Sequence, residues 1–269
     1  VNNMTIRVIV AVLFGPLIIL ISYLGGNYLF GMILLFGAIG IGEYLWRNLG
    51  KRYILFWVLT YLFVLAMLAA AIKLDYSYGA ALLAGYFLII GMLLSIRSEE
   101  PAELFKTMTV LLWGTVYIGL LYPFLYLIRD FTEIGGDWML FLFGSLWLSD
   151  SMAMWIGKGF GKSKLAPTVS PNKTVAGFVG GLTGGIIVAV ILGFWRLSQI
   201  PLPYLIIAGL LISFVGQLGD LVESMWKRAI GIKDSSKIIP GHGGVLDRFD
   251  STLFAAPTLF VFLKYFVYN

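Results

Sequence analysis

The acidic residues near the C-terminus fall inside apolar runs. One run ends Gly216, Gln217, Leu218, Gly219, Asp220, Leu221, Val222, Glu223, Ser224, Met225, Trp226, Lys227, Arg228. On a helix Asp220, Glu223, Ser224 and Lys227 share one face. A charge at membrane depth costs ~2.5–3.5 kcal/mol, so each acid needs a partner, an ion or water. Glu223 has an internal candidate in Lys227 at i+4. Asp220 has no basic residue one turn away and reads as a ligand. The next run opens Val245, Leu246, Asp247, Arg248, Phe249, Asp250, Ser251. Asp247 and Asp250 are three apart, so both carboxylates reach toward one point and repel unless a cation lies between them. If Asp220 joins them, the three acids form a magnesium site with open positions for phosphate oxygens.

Between the two runs lie Lys233, Asp234, Lys237, Pro240, Gly241, His242, Gly243 and Gly244. Glycine lets backbone amides approach phosphate closely, and a helix N-terminus adds partial positive charge. With five basic residues around it, this loop is expected to cradle phosphate, contacting it through Gly243, Gly244, Lys233 and Lys237. His242, the one histidine, is expected to touch phosphate without moving a proton. A phosphate monoester, with its second pKa near ~6, is already largely dianionic at neutral pH. A second loop carries Asp150, Gly157, Lys158, Gly161, Lys162, Lys164, Ser170 and Lys173. It lacks the first glycine of a Walker pattern, where Ile156 stands, and no strand precedes it. It reads as a positive, close-approach surface for substrate. Generic attraction to anionic headgroups would explain its lysines but not its glycines or Asp150. Glu43 is the remaining membrane acid, with Arg47 at i+4 as its expected partner.

The elements that must hold these residues follow from composition. The chain has 269 residues, 59% hydrophobic and 12% charged, against roughly 45–50% and 25% in soluble domains. Nine apolar runs are each long enough for a span of about 20 residues: Thr5 to Leu24, Tyr28 to Trp46, Tyr53 to Ile72, Tyr76 to Ile96, Leu104 to Ile128, Trp138 to Ile156, Val175 to Trp195, Pro203 to Met225 and Val245 to Phe266. They are twice the length of barrel strands and do not alternate. The expected fold is an all-α, polytopic integral membrane protein of about nine transmembrane helices. Residues 1–137 form an N-terminal membrane region of five helices, and residues 138–269 form a catalytic membrane region of four helices with two functional loops. No small-residue cleavage site follows the first run, so it reads as a retained span. Alternating sides puts 15 of the 19 Lys and Arg with the N-terminus and the loops after spans two, four, six and eight. That side is expected to be cytoplasmic and to hold the site. Pro16, Pro123 and Pro257 fall within spans, where kinks are expected. Gly177, Gly180, Gly181, Gly184 and Gly185 give small-xxx-small spacings, readable as close packing within the chain or as a homodimer seam. With no Cys and one His, cysteine and histidine zinc cages are excluded.

The stretch Glu223 to Ser251 closely resembles the C-terminal motif of the CDP-diacylglycerol synthases, also called phosphatidate cytidylyltransferases. It carries Ser224, Lys227, Arg228, Lys233, Asp234, then Pro240 to Gly244, then Asp247, Arg248 and Asp250 in the family's order. Ser149 to Gly177 resembles the family's other loop. The chain departs from it at Ala176, where many relatives have Glu, at Asn172, where Lys is common, and at Trp226, usually aliphatic or Phe. The resemblance implies transfer of a cytidylyl group from CTP to phosphatidate, giving CDP-diacylglycerol and diphosphate, at the inner face of a bacterial plasma membrane. It implies catalytic roles for Asp220, Asp247, Lys227, Arg228 and Arg248. Asp150, Lys158, Lys162, Ser170, Lys173, Ser224, Lys233, Lys237, His242, Gly243 and Gly244 would bind substrate. Asp220, Asp247 and Asp250 would hold Mg2+, with room for a second cation. The expected partners are CTP, phosphatidate and the lipid bilayer, with no nucleic acid. The competing readings are a CTP-dependent lipid-alcohol kinase of the dolichol-kinase type and an ion-coupled transporter using Asp220 and Glu223.

Overall fold

The computed structural model describes residues 3–74 and 76–268, and the side chains of residues 3–11, 76 and 80 lie outside that description, Arg7 among them. The helices are α1 (Asn3–Leu24), α2 (Gly26–Leu49), α3 (Ile54–Lys73) and α4 (Tyr76–Ser95), then α5 (Pro101–Gly114), α6 (Pro123–Phe131) and α7 (Gly135–Phe160), then α8 (Val175–Trp195), α9 (Leu202–Ala229) and α10 (Leu246–Phe262). Among the described residues eight segments are long and apolar enough to cross a membrane, with α5 to α6 as one, and α1 contributes the shorter apolar stretch Val12–Leu24. The chain is thus a polytopic helical membrane protein. In this setting helices satisfy every backbone hydrogen bond within the segment.

The fifth span is interrupted. A π-helical stretch, Thr115–Leu120, separates α5 from α6. Pro123 opens α6, where its missing N–H is not needed. A second π-helical turn, Leu263–Val267, continues α10. The sixth span outruns its expected end, since α7 carries Lys158 within its last turn and stops only at Phe160.

One departure from an all-helical chain lies in the loop after α7. There β1 (Lys164–Ala166) and β2 (Ser170–Thr174) pair antiparallel, Lys164 opposite Thr174 and Ala166 opposite Ser170. The hairpin satisfies backbone groups locally and delivers Thr174 as the cap of α8, its Oγ1 accepting from Gly177 N at 3.1 Å.

The glycines of α8 are used inside the chain, as the close-packing reading of this stripe expects. A Cβ at Gly180 would strike Ile156 of α7, and one at Gly184 would strike the backbone at Leu148 and Ser149. At Gly181 it would meet Gln217 of α9, and at Gly185 the backbone of Gly209. The helix lies between α7 and α9 at backbone contact. The two ends of the bundle differ. At one end Arg129 Nε donates to Tyr23 O (2.7 Å), and Arg196 Nε meets Asp137 Oδ1 at 2.9 Å. At the other end gather the loops after α2, α4, α7 and α9, tied by Arg97 over the Phe56 ring, Asn48 to Trp226, and Lys173 to Asp220.

Candidate active site

Lys227, in the last turn of α9, lies buried between two acids. Its Nζ donates to Asp247 Oδ1 at 2.7 Å and to Glu223 Oε2 at 3.2 Å. The i to i+4 pair anticipated from sequence is present, and the ammonium bridges it to α10. Asp247 Oδ2 accepts from Ser235 N (2.9 Å), Ser235 Oγ (2.9 Å) and Gly244 N (2.7 Å). The aspartate therefore anchors the preceding loop while neutralised by a lysine. A cation bound to its Oδ1 would have to share or displace that ammonium.

Two expectations are corrected at this loop. The first concerns Glu43, which forms no pair with Arg47. Its Oε1 accepts from Ser236 Oγ (2.5 Å) and Val245 N (3.0 Å), and its Oε2 from Ser235 Oγ (3.0 Å) and Leu246 N (3.1 Å). A carboxylate at a helix N-terminus satisfies amides that have no intrahelical partner and meets the positive end of the dipole. Arg47 instead donates through Nε to Ser235 O at 2.8 Å. The second concerns the phosphate cradle. The amides of Gly244, Val245 and Leu246 are taken by Asp247 and Glu43, so Gly244 does not offer phosphate a donor here. Its lack of a side chain serves packing, because a Cβ would overlap Ser235 Oγ and come within 2.5–2.6 Å of the Glu43 carboxylate. At Gly243, with φ of 83°, a Cβ would stand 2.7 Å from Asp247 Oδ2.

Asp220 finds its partner across the fold. Lys173 Nζ, on β2, sits 2.7 Å from Asp220 Oδ2, and Ser224 Oγ donates to Asp220 Oδ1 at 3.3 Å. This pair joins the two loops that the sequence offered separately. Gly157 and Gly161 are packing glycines rather than an open cradle. A Cβ at either would crowd Thr174, with Gly177 of α8 close behind at Gly157 and the Gly157 carbonyl in the way at Gly161.

Asp150 lies within electrostatic reach of Asp220, Asp250, Lys173 and Arg248, and the Asp250 carboxyl lies close to that of Glu223. Carboxyls this close repel unless positive charge or a proton lies between them. Glu223 Oε1 is buried without a hydrogen-bond partner. These are oxygen donors of the kind a hard cation takes. No group of three His, Cys, Asp or Glu side chains among the described residues is placed to hold a metal ion as it stands. Asp220 and Asp250 face one region, whereas Asp247 is turned to its loop and Lys227.

Two cavities meet at this place. One, of about 610 Å3, is lined by the loop after α9, including Lys233, Lys237, His242, Gly243 and Arg248. The other, of about 510 Å3, runs between apolar residues of α1, α2 and α7, such as Phe14, Ile18, Phe36 and Trp147, and reaches Asp150, Asp247 and Asp250. Arg248, His242, Pro240 and Ile239 line both. Lys158 and Lys162 are exposed at the end of α7, and Ser170 is half-buried on β2. Arg228 is exposed, donates to Ile232 O at 2.7 Å, and lines neither cavity. The residues that sequence reasoning missed are Ser235 and Ser236, together with the true role of Glu43. The sole signal for them was an acid at membrane depth.

The description "Cytidylyltransferase family" matches residues 5–266 of the chain. A phosphatidate cytidylyltransferase of Bacillus subtilis (strain 168) is 44% identical over 155 residues, 57% of each chain. One of Staphylococcus saprophyticus is 47% identical over 152 residues, and one of Staphylococcus haemolyticus 42% over 152. The chain spans 57% of the length of these curated relatives.

Proposed function

Because the chain belongs to the cytidylyltransferase family, we propose that it transfers the cytidylyl group of CTP to phosphatidate. The products are CDP-diacylglycerol and diphosphate. The reaction would take place at the inner face of the plasma membrane, with the N-terminus and the site cytoplasmic. The observation that carries this reading is the meeting of the two cavities at Arg248. One is lined by Lys233, Lys237 and Arg248, suited to a triphosphate, and the other is largely apolar and runs between α1, α2 and α7, suited to a diacyl lipid. The relatives' shared name supports it.

In this reading an oxygen of the phosphatidate phosphate attacks the α-phosphorus of CTP in line. The new P–O bond forms as the bond from the α-phosphorus to the α,β-bridging oxygen breaks, and diphosphate leaves with that electron pair. The attacking phosphate is already largely dianionic at neutral pH, so no side chain need remove a proton. Repulsion between the two anions is the main obstacle. Arg248, lining both cavities, offsets it from between them, and Lys233 and Lys237 meet charge on the leaving diphosphate. Lys173 and Asp150 would meet substrate from the α7 side, with Lys158, Lys162 and Ser170 further out. Asp220 and Asp250 would hold Mg2+, with Asp247 a further ligand if Lys227 yields its Oδ1. The ion would supply charge neutralisation for phosphate oxygens. The second cation expected from sequence belongs to the same proposal.

Purified protein given magnesium, phosphatidate and CTP labelled at either the α- or the γ-phosphate tests the reading. The α-label should enter lipid and the γ-label should leave as diphosphate. Transfer of the γ-label to lipid would make the protein a kinase and overturn the proposal.

A further inference from the structure

We propose that Glu43, on α2 of the N-terminal region, is a positioning residue for the site. It fixes the 235–246 loop and, through Ser235, the Asp247–Lys227 pair that anchors this loop. This inference rests on the functional reading above.

The geometry that carries it spans the length of the chain. Glu43 is 6% exposed and accepts four hydrogen bonds, all from residues 235–246. Two of the donors are amides at the start of α10, and two are hydroxyls in the loop before it. Arg47, one turn on, accepts no share of the Glu43 charge and binds the carbonyl of Ser235. One loop residue is thus held through its carbonyl by Arg47 and through its hydroxyl by Glu43. That hydroxyl lies 3.0 Å from Glu43 Oε2 and 2.9 Å from Asp247 Oδ2. It has one proton and serves two carboxylates. Displacing Glu43 therefore alters what Asp247 receives, and Asp247 in turn sets Lys227. Gly244 completes the fit, since no side chain can stand between the loop and the Glu43 carboxylate. The same loop carries Lys233, Lys237 and His242 into the polar cavity. Glu43 does not line that cavity, which is why its role is placement.

Glu43→Gln replaces one acceptor oxygen by an NH2 group facing donors, so at least one side of the grip opens. Kinetics on the full chain in detergent and lipid should show KM for CTP raised and kcat lowered. Their combined loss should be about 10- to 100-fold, as for a displaced supporting residue. Glu43→Asp, which keeps the charge, should recover part of it. A variant that merely unfolds loses active molecules and keeps the wild-type KM. A second measurement does not depend on activity: trypsin cleavage after the exposed Lys237 should accelerate several-fold in Glu43→Gln. If Glu43→Gln does not fold, Ser236→Ala carries the test: it removes the 2.5 Å bond to Glu43 together with the 3.1 Å bond that Ser236 Oγ accepts from Ile238 N, and should also speed that cleavage. Wild-type KM, kcat and cleavage rate in a folded Glu43→Gln, or an unchanged cleavage rate in Ser236→Ala, would overturn the proposal. A wild-type protein that makes no CDP-diacylglycerol would defeat the functional reading instead, and the protease measurement would still decide the role of Glu43.

Discussion

Replacing Lys227 by Met should be the most damaging single change at the site, and its cost can be worked from the geometry. The ammonium is 2.7 Å from Asp247 and 3.2 Å from Glu223, and the side chains are 10%, 4% and 0% exposed. At an effective dielectric of about 20 the two attractions are worth about 6 and about 5 kcal/mol before desolvation. Removing one partner of a buried pair costs about 3–5 kcal/mol net, because the partner charge stays buried and unpaired. For a chain of this size that corresponds to a fall of roughly 6–20 °C in the melting midpoint. The two acids are not equally exposed to the loss. Asp247 keeps three other donors, all on Oδ2, whereas Glu223 already has an orphaned Oε1. Adding Glu223→Gln to Lys227→Met should therefore recover more stability than adding Asp247→Asn. Thermal unfolding in detergent with EDTA compares these four proteins, wild type included, and the single variants Glu223→Gln and Asp247→Asn close the two mutant cycles. A Lys227→Met protein melting within about 1 °C of wild type would refute the reasoning, since it lies far outside the range above. A Glu223→Gln change that recovers nothing would also refute it.

Other outcomes follow from the same geometry. Magnesium at about 100 times its Kd should raise apparent stability by about 2.7 kcal/mol, and Asp220→Asn should abolish that rise; an unchanged rise would place the ion elsewhere. Gly244→Ala should disrupt the loop, because the new Cβ meets Ser235 and Glu43, and should cost more than 1 kcal/mol in melting experiments. Gly159→Ala, with nothing within 4 Å of the new Cβ and a helical backbone, should instead stabilise by roughly 0.5–1 kcal/mol. If the exposed lysines after α7 meet substrate across solvent as proposed, Lys162→Ala should raise KM for CTP at low salt and do so less as salt rises.

The features legible in sequence are those whose partners are local. Eight of the nine apolar runs correspond to segments long and apolar enough to span among the described residues, because length and apolarity suffice for a helix in lipid. Asp220, Glu223, Ser224 and Lys227 could be placed on one face because their spacing is helical, and the Glu223–Lys227 pair stands as that spacing implies. Partners far away in the chain were not legible. Lys173 completes Asp220 from 47 residues earlier, and the donors to Glu43 lie 192 to 203 residues beyond it. A basic residue at i+4 offered Glu43 a local partner, and only tertiary contact shows that Arg47 is turned to a carbonyl. Glycines were ambiguous for a different reason. A missing Cβ permits close approach without saying what approaches, and at Gly157, Gly161 and Gly244 the visitor is protein. The hairpin at 164–174 went unseen because Ser170, Pro171, Asn172 and Lys173 have none of the β-branched or aromatic character of a strand.

The Lys173–Asp220 pair gives the two loops a common fate. Lys173 is on the strand that ends in the cap of α8, so its position follows α8, which the glycine stripe holds against α9. Asp220 is on α9, one turn before the Glu223–Lys227–Asp247 chain that the α10 loop is fastened to. Sliding α8 along α9 would therefore move Lys173 off Asp220 without touching either residue. Gly185→Leu, which places a bulky side chain against the Gly209 backbone, displaces α8 relative to α9 from within their contact, away from Lys173 and Asp220. If the pair is set by helix packing, this change should impair catalysis as well as stability, and Lys173→Ala should add little further loss in its background. Independent, multiplicative losses in the double variant would show that the hairpin holds Lys173 in place by itself.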